Sequence, residues 1–76
     1  MNQIQVTGTV DRKGFGTGTW VLVASSGETY ELYEPAAELQ KKGLKVKVSG
    51  TVREDVMTLA MVGPVLQVAH YEVLEA

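Results

Sequence analysis

Two copies of one short phrase stand 42 residues apart in this chain, Val6-Thr7-Gly8-Thr9-Val10 and Val48-Ser49-Gly50-Thr51-Val52. Each alternates with the period of a half-buried strand, and each carries glycine where a packed side chain is due. Glycine weakens a strand unless the strand bends sharply there or another backbone comes close. Two long strands, each curved at its own glycine, predict a small closed barrel in which the two lie side by side. Nothing else in the two halves repeats, so pairing explains the likeness better than duplication does.

The other elements follow from the same patterning. Residues 4–10 form the first strand, with Ile4, Val6 and Val10 on one face. Residues 11–18, rich in glycine and charge, read as a long loop. Residues 19–24 and 29–33 read as strands joined by a tight turn at Ser25-Ser26-Gly27-Glu28. Pro35 to Gly43 carries helix punctuation at both ends. Pro35 suits the first helical position, and Glu38 suits the positive end of the helix dipole. Lys41 and Lys42 suit its negative end, and Gly43 suits the residue that follows. A two-turn α-helix is therefore expected there, docked through Ala36, Leu39 and Leu44, because so short a helix does not hold alone. Leu44 to Arg53 is the clearest alternation in the chain. Residues 54–63 read as a turn followed by a short strand or a packed loop. Val65 to about Leu74 is the last strand, and its alternation slips at Ala69-His70, where a bulge is expected.

Three strands, one short helix and two strands make the order of an OB-fold, a five-stranded Greek-key barrel. A β-grasp places only two strands before its helix, and SH3-like barrels have no α-helix at this place. The expected fold is all-β with one small helix inserted: a five-stranded OB-fold-like Greek-key barrel, residues 1–76 making a single domain. Its expected core is Ile4, Val6, Val10, Trp20, Leu22, Tyr30, Leu32, Leu39, Val46, Val48, Val52, Leu66 and Val68. The runs Gly18-Thr-Trp-Val-Leu-Val23 and Gly27-Glu-Thr-Tyr-Glu-Leu32, with Gly43 followed by Val46, Val48 and Gly50, resemble small bacterial OB-fold domains, many of them uncharacterised. The resemblance covers most of the chain but rests on core and turn positions. It implies a fold and transfers no catalytic or binding residue.

Composition narrows the function. The chain has no cysteine and one histidine, His70, which leaves no thiolate metal site and no Cys–His nucleophile. A Ser-His-Asp arrangement would have to join His70 to Ser25, Ser26 or Ser49, and no motif supports it. Glu54-Asp55 reads as a solvated turn. Gly14-Phe15-Gly16-Thr17-Gly18 lacks the spacing of a dinucleotide loop and precedes a strand where that motif needs a helix. An enzyme is not expected, and no cofactor or metal is implied. A net charge of −2 gives no broad basic field for nucleic acid or a membrane surface. No apolar run is long enough to cross a membrane as a helix, and no secretory leader is visible, so a cytoplasmic location is expected.

The remaining expectation is a non-catalytic binding or accessory module, monomeric, with a protein or peptide partner favoured. OB-folds bind single strands on the outer face of their second and third strands, beside the loops between strands one and two and strands four and five. Arg12, Lys13 and Phe15 in the first loop, with Tyr33 on the third strand, would serve weak, sequence-tolerant nucleic-acid binding, which is the alternative. Lys41, Lys42, Lys45, Lys47 and Arg53 form a second basic set, whereas Glu28, Glu31 and Glu34 oppose that reading. Val21 and Val23 on the outer face of the second strand would offer an apolar patch beside Tyr33, unless residues 56–62 cover it. Met57, Leu59 and Met61 could receive a partner or plug the barrel end, and the second role is favoured. The candidate ligand-binding residues are thus Arg12, Lys13, Phe15, Val21, Val23, Glu31 and Tyr33.

Overall fold

The structure, a computed structural model, describes residues 3–13, 18–56 and 63–75. Five strands form one sheet: β1 Gln3–Lys13, β2 Thr19–Ala24, β3 Thr29–Leu32, β4 Lys45–Arg53 and β5 Val65–Glu75. Around the sheet they run β1-β2-β3-β5-β4, and β4 returns to β1 so that the strands close into a ring. All neighbours are antiparallel except β3 and β5, which pair in parallel through Glu31–Val65 and Leu32–Leu66.

β1 makes closure possible by serving two neighbours. Its first part, Gln3 to Thr9, pairs with Thr51 to Lys45 of β4, and its later part, Gly8 to Lys13, pairs with Ala24 to Thr19 of β2. Gly8 stands at the changeover, opposite both Val46 and Ala24. The two glycine phrases do lie on neighbouring strands, meeting at Val6–Val48. Beyond that point they diverge: Gly8 leans on β2 and Gly50 on β5. At each, the sheet coils so tightly that the next strand's backbone crosses the inner face.

Every residue of the expected core packs in the core cluster or against it. Val6, Val10, Leu22, Leu32, Leu39, Val46, Val48 and Leu66 are buried, with Ala24 and Leu44 added, while Ile4, Trp20, Tyr30, Val52 and Val68 pack around them half-buried. The expected bulge is present, since Gly50 faces Val68 and Ser49 faces His70, leaving Ala69 without an opposite residue.

Three expectations are corrected. The α-helix between β3 and β4 is replaced by a single 3-10 turn, Ala37–Leu39. Its bonds run from Leu39 N–H to Ala36 C=O and from Gln40 N–H to Ala37 C=O, and Gln40 leaves helical geometry at ψ 59°. One buried anchor, Leu39, plugs the ring, Ala36 stays exposed, and nothing rewards a second turn. Gly43 has φ 90° as expected, but it closes a tight turn: its N–H bonds Val10 C=O, and Val10 N–H bonds Leu44 C=O. The long loop at 11–18 is also shorter than expected. β1 continues through Asp11, Arg12 and Lys13, opposite Val21, Trp20 and Thr19, because its polar end still has a partner strand to pair with. Lastly, Val21 is fully buried although it does not belong to the inner cluster.

Candidate functional site

The face proposed from the sequence lies on the outside of β2, β3 and the start of β5. Val21 sits opposite Glu31, Glu31 opposite Val65, and Val65 opposite Arg53. Val21 and Val65 are buried, Val23 and Glu31 half-buried. An exposed Val21-Val23-Tyr33 patch therefore does not exist. A charge placed at Val21 would be buried there. Phe15, Met57, Leu59 and Met61 lie outside the described residues.

What the face does hold is an ordered polar group centred on Arg53. Tyr33 follows β3 and stays attached to the sheet by donating its N–H to Leu66 C=O at 2.9 Å. Leu66 is opposite Val52, so β5 carries Tyr33 to within reach of Arg53 on β4. The guanidinium carbon of Arg53 stands 5.3 Å from the centre of the Tyr33 ring, within the range of a cation–π contact. Its Nε and Nη2 each donate to Asp55 at 2.8 Å, and Nη1 donates to Gln67 Oε1 at 2.7 Å. The Arg53 side chain retains 29% of its accessible surface and Asp55 68%. The group is thus a surface feature with a fixed geometry. Immediately after Tyr33, Glu34 takes φ 43°, a left-handed conformation uncommon for a residue bearing Cβ, and turns the chain toward the 3-10 turn.

Arg53 holds the Asp55 carboxyl down to about 2 from its ordinary 3.8, first through the hydrogen bonds it donates. A depressed carboxylate stabilises the clamp above its ordinary pKa and loses that contribution as pH falls through the folded value. The clamp is therefore complete above about 4 and opens as pH falls through about 2. A carbon-detected NMR titration is expected to give an Asp55 midpoint near about 2, and Arg53→Gln should move it back toward 3.8. An unmoved midpoint in the variant would remove Arg53 as the cause.

The other basic candidates are dispersed. Arg12 and Lys13 are exposed at the end of β1. Arg12 lies over the Trp20 ring at 4.8 Å from its centre, covering an inner aromatic with its stem and cation. Lys42 pairs with Asp11 at 3.9 Å and Lys45 with Glu75 at 3.7 Å. Lys47 stands opposite Glu72.

No family model matches this chain, and no curated protein and no solved structure matches it.

The histidine finds a plain setting. His70 faces Ser49 across β4 and β5, and Gln5 lies opposite Ser49 on its other side, forming a polar row on the outside of the sheet. His70 is exposed and Ser49 half-buried, and both line a surface cleft with Gln5, Lys47, Tyr71 and Glu72. Two tyrosines have a carboxylate partner. Burial, and then the bond donated to Glu28 at 3.1 Å, raise the Tyr30 phenol above its ordinary range. The bond donated to Glu38 at 2.6 Å raises Tyr71. Each tie holds a ring in place.

Arg53 as the centre of the site is what sequence reasoning missed. It counted there as one member of a basic set, and Asp55 as a solvated acid. The Arg-Glu-Asp turn at 53–55 carried a local signal, since a turn can bring the third residue's carboxylate back to the first. The Tyr33 and Gln67 contacts depend on sheet closure and left no such signal.

Proposed function

We propose that this chain is a non-catalytic binding module with an OB-like barrel, and that its ligand is a protein or peptide segment. The strand order supports the OB-like reading: β1 serves two neighbours, and β3 meets β5 in parallel to close the ring. The observation that carries the ligand class is the Arg53–Tyr33 stack, held by Asp55 and Gln67. Arginine and tyrosine anchor many protein interfaces, and side chains already held in place lose little rotamer freedom on binding. The same arrangement disfavours single-strand binding. The guanidinium occupies one side of the Tyr33 ring, and Asp55 offsets its charge. Lys42 and Lys45 also face carboxylates.

Two measurements test this reading. Short single-stranded DNA and RNA, titrated at low and high salt, should leave the amide shifts of residues 12–13 and 31–33 unchanged. Binding whose log affinity falls with log salt at a slope of about −3, the value for four or five phosphate contacts, would replace the protein reading by the single-strand one. In the second, a cross-linker at the exposed Glu54, beside the stack, captures partners from lysate. Arg53→Ala and Tyr33→Ala should each lower the yield of a given partner about tenfold, as loss of an interface anchor does. Equal yield from variants with unchanged circular dichroism would move the interface elsewhere.

A further inference from the structure

Among the described residues one edge of β5 has no paired strand beyond Leu66, and the segment 34–39 comes beside it only at Val68, Ala69 and Tyr71. β4 accompanies β5 along its whole length, from Arg53–Val65 to Lys45–Glu75. On the other side β3 reaches only Val65 and Leu66, with Tyr33 adding one bond to Leu66. From Ala69 to Glu75 every residue is exposed. The exposed large apolar residues among those described all fall in this stretch: Tyr71 at 37%, Val73 at 39% and Leu74 at 49%. A free strand edge beside apolar side chains is a template for pairing with another strand.

We propose that the edge of β5 pairs with β5 of a second copy of this chain, antiparallel, about a two-fold axis at Tyr71. Such an axis keeps the two faces of the sheet in common, so residues that pair must share a face and the centre must fall on a residue. Charge then chooses among the centres. An axis at Glu72 sets that carboxylate against its own copy. One at Val73 or at His70 runs its first pairs into a register shift, at Leu74 or at Ala69. An axis at Tyr71 sets His70 opposite the partner's Glu72 twice, places Tyr71 beside its own copy, and brings no like charges face to face. An imidazole N–H can donate to the facing carboxylate whether or not the ring is charged. The phenol of Tyr71 donates to Glu38 at 2.6 Å, which holds the central ring in place before the partner arrives. This dimer goes beyond the binding-module reading, replaces the monomer expected from the sequence, and leaves the Arg53–Tyr33 face outside its pairing. A single strand edge buries little area, so the dimer is reversible and concentration-dependent.

Sedimentation velocity across a roughly hundredfold range of concentration tests it. The wild type should pass from monomer to dimer. His70→Glu, which brings carboxylates face to face, should raise the dissociation constant about tenfold. The exchange His70→Glu with Glu72→His restores the opposed pair and should return the constant to within about twofold of wild type. Both substitution sites are exposed, and circular dichroism checks that each variant folds. A wild type that stays monomeric throughout, or a dimer that ignores His70→Glu, or a double exchange that fails to restore it, overturns the proposal.

Discussion

Gly8→Ala and Gly50→Ala are each expected to cost about 3 kcal/mol or more, and the corresponding valine variants to leave the chain unfolded. A Cβ at Gly8 would fall on the carbonyl oxygen of Val23, with Val23 C at 2.8 Å and Ala24 Cα at 2.9 Å. One at Gly50 would fall on the carbonyl oxygen of Gln67, with Gln67 C at 2.9 Å and Val68 Cα at 3.0 Å. Every one of these atoms is backbone, so no rotamer change relieves the clash. The strands would have to part, and each already holds a register there, Gly8 with Ala24 and Gly50 with Val68. Total stability for a chain of this size is roughly 4–11 kcal/mol, so either change consumes much of it. Urea unfolding followed by tryptophan fluorescence measures the loss. A cost below about 1 kcal/mol at both sites would mean that the ring does not depend on these close approaches.

Leu66→Ala should remove about 2–5 kcal/mol, the range for truncating a buried leucine and leaving a cavity. Leu66 is fully buried and lies where the ring closes. It faces Leu32 across the parallel pair and Val52 across the antiparallel one, and its carbonyl accepts the Tyr33 N–H. The cavity would open at the shortest strand contact in the molecule, since β3 meets β5 at only two register positions. The variant should therefore also release Tyr33, which would show as altered ring shifts at urea concentrations where the chain remains folded. Leu74→Ala, on the same strand but exposed, should change stability by less than about 0.5 kcal/mol. Similar losses at both positions would contradict the burial that separates them.

Much of the fold was legible in local pattern. Strand alternation placed twelve of the thirteen expected core residues, all but Leu39, in the core cluster or against it, and the slip at Ala69-His70 marked a real bulge. Both follow from a period of two, which a one-residue shift reverses for every side chain. The helix was misread for a related reason. The punctuation at Pro35 and Gly43 marks where a helix can begin and end, but one buried leucine satisfied the docking that a second turn would have served. Arg12 and Lys13 looked like loop residues because polar side chains do not reveal a strand whose pairing continues past its apolar part.

The candidate site was legible only in fragments. Tyr33 and Arg53 were both picked out, but for separate roles, and nothing in either neighbourhood points to the other. They are 20 residues apart in the chain and on strands that do not pair. Their contact exists because β5 lies between β3 and β4, and Gln67 bonds Arg53 from that middle strand. At Val21 the sequence left exposure and burial both open. Alternation assigned it correctly to the outer face, yet that face is closed over at Val21 and Val65.

Periodicity, turn chemistry and the two strand glycines were enough to specify five strands, their inward faces and the points where two of them bend. These are local properties, set by backbone sterics and by which side chains avoid water. The closure of β3 on β5 in parallel, the single 3-10 turn, the burial of Val21 and the Arg53–Tyr33 stack came from the arrangement of the strands in space. Each depends on groups far apart in the chain meeting across a neighbouring strand, and Gly8 and Gly50 permit that closure by leaving room for a backbone where any side chain would stand.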